Sequence, residues 1–350
     1  MKILYGVQGT GNGHSARARA MAYALKERNV DVDFLFSGRE ESKYFSMEAF
    51  GDYQTRQGLT FVTEQGRINY VKTAFNNNIL KLHKEVKELD LSAYDLVVND
   101  FEPISAWAAK LQKVPCIGIS HQNAFRFDVP KKGESWLDQS IIKNFAPADF
   151  LIGLHWYHFG QPILPPIVHT NHHHNVAKEA FVLVYLPFES AEDITALLLR
   201  FMNQKFICYH PDINDEQVME NIHLKPLSHS NFQRDLHKCQ GVIANGGFEL
   251  PSESLILGKK LLLKPLSGQF EQESNVATLE TLGLANSMDH LDPTAVRTWL
   301  DEQDTESVNY PDVAGHIADW LLEGDWEVQE GLWKSLWDKV DFPSHAVIHD

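Results

Sequence analysis

The segment Gly241-Val242-Ile243-Ala244-Asn245-Gly246-Gly247-Phe248-Glu249-Leu250-Pro251-Ser252-Glu253-Ser254-Leu255 decides the architecture. Its apolar start reads as a buried strand, and the glycine pair as a tight turn. Pro251 is best tolerated in the first turn of a helix, where its missing N–H costs nothing, so a helix N-terminus is expected just beyond Gly246 and Gly247. Strand, glycine turn and helix in succession are the building unit of a parallel α/β sheet. The helix end presents unpaired N–H groups and the positive pole of its dipole, which suits a diphosphate. A plain strand-to-helix turn satisfies the same residues, so this stretch alone leaves both readings open.

Downstream, Leu261 to Leu263 reads as another strand, and the loop after it leads through Glu271 and Gln272 into a helix over Gln272 to Leu282. Upstream, Phe181 to Tyr185 and Phe206 to Tyr209 are strand-like, with helical patterns at Ala191 to Met202 and Phe232 to Lys238. The first half shows the same alternation. Strands are expected at Ile3 to Val7, Val32 to Phe36, Leu96 to Asn99, Val114 to Ile119 and Phe150 to Gly153, with helices at Ala16 to Arg28, Tyr70 to Glu88 and Ile104 to Gln112. With 350 residues this predicts two doubly wound, Rossmann-like α/β domains. We expect the first at 1–164, a Pro- and His-bearing linker at 165–178, the second at 179–322 and a helical tail at 323–350. Trp320, Trp326, Trp333 and Trp337 are expected to pack that tail onto the body, back toward the first domain.

A second glycine loop, Gly9-Thr10-Gly11-Asn12-Gly13-His14, sits between the first strand and the first helix. Gly11, Asn12 and Gly13 would bring the backbone close to a ligand. A dinucleotide fingerprint is disfavoured, because His14 stands where its third glycine should pack and the second strand ends without a ribose-binding acid. At a helix N-terminus the dipole disfavours imidazolium, so His14 is a candidate general base; a histidine that only caps the helix is the competing reading. Asp100 ends a buried-type strand, and in an open parallel sheet all strand carboxyl ends face one crevice, where this acid could fix the His14 tautomer. Capping of the helix near Pro103 explains Asp100 equally well.

A net charge of -16 excludes nucleic acid as the main partner, since phosphate neutralisation needs clustered Lys and Arg. No stretch is apolar over a bilayer-spanning length. Cys116, Cys208 and Cys239 are far apart and lack metal-ligand spacing, and the N-terminus reads as a strand, not a leader. A cytoplasmic protein is therefore expected, with peripheral contact at the inner face of the membrane left open. His172, His173 and His174 are adjacent on a loop and do not suggest convergence on one ion. No metal site and no cofactor are expected. His121 and Asn123 follow a strand end in the first half and are candidates for the acceptor side, with loop polarity as the alternative.

Gly-x-Gly-x-Gly-His with Arg17, together with the ordered blocks Asn245 to Lys259 and Pro265 to Asn275, resembles the GT-B glycosyltransferases. Within them the chain is most similar to UDP-glycosyltransferases and to the bacterial N-acetylglucosaminyltransferase of the peptidoglycan precursor. The resemblance implies two Rossmann-like domains facing a central cleft and a UDP-sugar donor held by the second domain without metal. Gly246, Gly247 and Phe248 would face the diphosphate, Glu253 the ribose, Glu271 and Gln272 the sugar hydroxyls, and backbone near Pro226 to His229 the uracil. His14 would be the base and Asp100 its partner. Two departures stand out: Glu271-Gln272 where many relatives have Asp-Gln, and Phe248-Glu249-Leu250-Pro251 where small hydroxylated residues are common. The acceptor is unidentified, a glycan or a lipid-linked molecule being the classes considered. A UDP-N-acetylglucosamine epimerase-like enzyme and a non-catalytic sugar-nucleotide-binding protein remain as alternatives.

Overall fold

The computed structural model describes residues 1–44, 46–59, 63–64, 67–68, 78–168, 177–327 and 330–348. Strands β1 (Lys2–Gln8), β2 (Asp31–Ser37) and β3 (Gln54–Arg56) are followed by a two-residue antiparallel pair, β4 (Thr63–Glu64) and β5 (Arg67–Ile68). Then come β6 (Leu96–Asp100), β7 (Cys116–Ser120), β8 (Phe150–Leu154) and β9 (Ile163–Leu164). Apart from β4 and β5 these form one sheet, ordered β3-β2-β1-β6-β7-β8-β9 and parallel throughout. The second sheet contains β10 (Phe181–Tyr185), β11 (Lys205–Tyr209), β12 (Gln217–Met219), β13 (Ile222–Lys225), β14 (Gly241–Asn245), β15 (Lys260–Lys264) and β16 (Asn286–Ser287). Its order is β12-β13-β11-β10-β14-β15-β16, and only the edge strand β12 is antiparallel.

Eleven α-helices are described: α1 (Asn12–Glu27), α2 (Ile79–Glu88), α3 (Pro103–Gln112), α4 (Trp136–Asn144), α5 (Ala191–Leu198), α6 (His229–Lys238), α7 (Glu249–Ile256), α8 (Phe270–Thr281), α9 (Pro293–Asp301), α10 (Val313–Glu323) and α11 (Glu330–Trp337). Local chemistry starts many of them. Ser135, Ser190, Ser228, Asp292 and Asp312 accept N-terminal N–H groups, and Pro103 and Pro293 occupy first-turn positions. The central strands β6, β7, β14 and β15 are buried along their whole length, as a sheet covered on both faces requires.

Several elements differ from the sequence expectation. Helix α1 begins at Asn12 instead of Ala16, so Gly11 becomes its N-cap and His14 lies in its first turn. The cap of α3 is Glu102, not Asp100; its carboxylate accepts from the Ile104 and Ser105 N–H groups. The hairpin β12-β13 and helix α4 are additional to the expected elements. Of the helix expected over 70–88, residues 70–77 lie outside the described residues, as do His172, His173 and His174.

The tail also needs correction. Helix α10, placed by the sequence in the second domain, packs against α1 of the first, where Arg28 binds both carboxylate oxygens of Asp319. Helix α11 continues on the same side, with Trp337 Nε1 donating to the Ile163 carbonyl of β9 (2.6 Å) and Trp326 meeting the Phe150 ring. The crossing back thus occurs before residue 313.

Candidate active site

The loops that leave β1 and β14 bring the first turns of α1 and α7 together between the two sheets. Their approach is close: a Cβ on Gly13 would stand 2.8 Å from Glu249 Cγ. Gly13 therefore permits the contact.

Around this junction four ionisable side chains converge. Asp100, at the end of β6 and fully buried, lies 2.8 Å from His14 Nδ1 through Oδ1. Arg17, one helical turn beyond His14 and buried, donates from Nε to Asp100 Oδ2 and from Nη2 to Oδ1, both at 2.8 Å. Its Nη1 pairs with Glu249, the first residue of α7. Asp100 can only accept, so His14 Nδ1 carries the proton toward it, and the 3.1 Å approach of Arg17 Nη2 to Nδ1 is a neighbour contact. In the neutral ring this leaves the free lone pair on His14 Nε2. Burial alone would raise the Asp100 pKa, but Arg17 and His14 outweigh it and hold the carboxyl below its usual range. Burial raises Glu249 to about 8 against the pull of Arg17.

The glycine pair is asymmetric. A Cβ on Gly246 would meet the Gln272 carbonyl at 2.8 Å, whereas one on Gly247 would meet nothing within 4 Å. Gly246 is required by packing, and Gly247 borders open space at the N-terminal end of α7.

A family model described as glycosyl transferase family 1 matches residues 1–303, most of the chain. The chain belongs to glycosyl transferase family 1. No curated protein sequence matches it significantly. Among solved structures it is similar to the glycotransferase of kitacinnamycin (TM-score 0.58, 13% identity, 97% of this chain and 99% of that one). It is also similar to the Streptomyces sp. SF2575 glycosyltransferase SsfS6 complexed with thymidine diphosphate (0.57, 12%, 87% and 92%). A third likeness is Acinetobacter baumannii MurG (0.52, 13%, 92% and 99%). At these identities the likeness concerns the fold, which is GT-B.

In this family 1 glycosyltransferase the expected donor-side residues are partly engaged with the first domain. The Phe248 ring stacks on His121 with centroids 3.9 Å apart and planes 10° apart, and lies against Trp156. Glu271 accepts from Gln122 Nε2 at 3.0 Å. Gln272 Oε1 accepts from the Leu266 N–H and pins the turn before α8. Glu253, whose pKa burial raises, accepts from Gln233 Nε2 at 2.8 Å.

His121 and Asn123 are not an open acceptor surface. His121 is buried in the seam, where Nδ1 donates to the Leu154 carbonyl (2.8 Å) and Nε2 lies 2.6 Å from Asn275 Oδ1; burial pulls its pKa down. Asn123 is buried and donates to the carbonyls of Gly118 and Ile152, bracing β7 against β8. Both polar side chains satisfy neighbouring backbone instead of facing solvent.

The sequence reading gave no site role to Glu249 or to Trp156, whose indole donates to Ser252 Oγ of α7. Arg17 entered only through the resemblance. An Arg at i+3 from a candidate base was the available signal. Its partner 232 residues away was not. Among the described residues no cluster of three or more His, Cys, Asp or Glu is arranged to hold a metal ion, and no helix is long and apolar enough to cross a membrane.

Proposed function

We propose that this glycosyltransferase moves a sugar from a UDP-sugar to an acceptor hydroxyl with inversion and without metal, His14 acting as general base. The contact that carries this reading is His14 Nδ1 to Asp100 Oδ1 at 2.8 Å, on the side of α1 that meets the start of α7. His14 Nε2 takes the acceptor proton as the hydroxyl oxygen bonds to the anomeric carbon and the bond to the nucleoside diphosphate breaks. Asp100 stabilises the imidazolium, and N–H groups at the start of α7 receive the leaving-group charge. Gly246 and Gly247 let the diphosphate approach, Glu253 takes the ribose, and Glu271 with Gln272 selects the sugar. The last of these roles requires Glu271 to exchange Gln122 for sugar hydroxyls.

The glycan or lipid-linked acceptor enters from the first domain, and a cytoplasmic site fits both classes. The thymidine diphosphate held by SsfS6 supports a nucleoside diphosphate on this fold. The test is His14→Ala with UDP binding followed by calorimetry and UDP release followed with acceptor present. A loss of transfer of about 10² to 10⁴ with UDP affinity retained is expected. Retained transfer, or loss of UDP binding together with transfer, removes His14 as the base.

A further inference from the structure

A cavity of about 810 Å³ opens at the carboxyl edge of the first sheet, lined by Thr10, Gly38, Arg39, Lys43, Arg56 and Gly58 among others. Its floor is built with care. The Gly38 N–H donates to the Gln57 carbonyl at 2.9 Å, and the Gln57 and Gly58 N–H groups both donate to the Glu85 carboxylate. Gly38 and Gly58 have φ of 93° and 58°, and a Cβ on Gly58 would stand 2.5 Å from Ser37 Oγ. Only glycine fits both positions.

The two arginines of this cavity have an unusual set of partners. Arg39 donates to Asn12 Oδ1 (3.0 Å) and to the carbonyls of Thr10 (3.3 Å) and Lys43 (3.4 Å), and burial lowers its pKa. Arg56 donates to the Thr55 carbonyl and to Gln54 Oε1. Among the described residues neither guanidinium pairs with a carboxylate, in a chain with a surplus of 16 acidic charges. Glu40 and Glu41 also line the cavity, but both are exposed and Glu40 is already paired with Lys43 at 3.3 Å. A half-buried guanidinium held only by neutral oxygens keeps N–H groups and charge in reserve for an anion. Asn12, which Arg39 grips, lies two residues before His14 in the same first turn of α1.

We infer that this cavity receives the anionic group, carboxylate or phosphate, of an acceptor sugar, with Arg39 and Arg56 as its two anchors. The inference rests on the reading of the first domain as the acceptor side. An oxyanion fixed by two planar forks would hold the sugar by one end and leave a hydroxyl for His14.

Calorimetry on the full chain saturated with UDP tests it, with glucuronic acid, glucose 6-phosphate and glucose as probes. At least one anion should bind tenfold or more tighter than glucose, and whichever does so identifies the group. Arg56→Gln should lower that affinity at least tenfold, Arg56→Lys should restore part of it, and UDP affinity should stay unchanged in both. Arg39→Gln should act in the same direction. Because Arg39 also packs over the Tyr44 ring, Arg56, which among the described residues bonds to Thr55 and Gln54 alone, carries the test if the Arg39 variant does not fold. Anions that bind no tighter than glucose, or that bind the Arg56→Gln variant as they bind the wild type, overturn the inference. Failure of the wild type to bind UDP would instead remove the donor reading, while arginine-dependent anion binding would still stand.

Discussion

Arg17 of α1 joins the two halves of the molecule: one edge of its guanidinium holds Asp100, and its Nη1 pairs with Glu249 at the start of α7. The acid that orients His14 and the helix proposed to receive the diphosphate thus share one cation. Arg17→Ala would leave two buried carboxyl groups without it. We expect a stability loss of about 3 to 5 kcal/mol, seen as a fall in melting temperature of more than ~5 °C. A change within error would mean that water replaces the guanidinium.

Glu249 gives a pH signature. Its pKa rises from 4.5 to about 8 on folding, so between these values the folded chain binds a proton that the unfolded chain has released. The contribution of Glu249 to stability therefore falls as pH rises through this window and is level above it. Glu249→Gln removes that contribution. Melting temperatures measured from pH 5 to 8 should fall more steeply for the wild type than for the variant, and parallel curves would contradict the shift.

The two glycines of the donor turn should respond in opposite ways. Gly247→Ala places a methyl group in open space, so the variant should melt within ~2 °C of the wild type and lose at least tenfold in UDP affinity. Gly246→Ala drives a methyl group against the Gln272 backbone and should cost about 1 to 3 kcal/mol whether or not nucleotide is present. Thermal melts with and without UDP separate the two. Equal destabilisation by both variants would argue against a ligand-facing Gly247.

The tail can be probed at one atom. Trp337→Phe keeps most of the ring but leaves the Ile163 carbonyl without its indole donor, at a cost of about 1 to 3 kcal/mol. Loss of that bond should also raise proteolytic cleavage of the last two dozen residues. Unchanged melting and digestion would show that the α11 interface is held by its aromatic packing alone.

How much of this was legible follows the range of the forces involved. Strands β1, β6, β10 and β14 are local apolar runs, and the turn at Gly246 and Gly247 is a local backbone requirement, so each was visible in a few residues. The approach of His14 to Asp100 follows from parallel topology, which places both at carboxyl ends. Gln122 against Glu271 and Arg17 against Glu249 are contacts between surfaces 149 and 232 residues apart, and nothing nearby in sequence announces them. Asn123 and Phe248 show the converse: residues of the right type for a site are used by the fold for bracing and stacking.

The return of α10 and α11 to the first sheet has a consequence for synthesis. The seven strands of the first sheet are complete by Leu164, yet α1 and β9 gain their last partners only when residues 313–337 have been made. At ribosomal rates of about 5 to 20 residues per second, that interval is roughly 10 to 35 s. For this time the nascent first half has an apolar flank waiting for the end of its own chain.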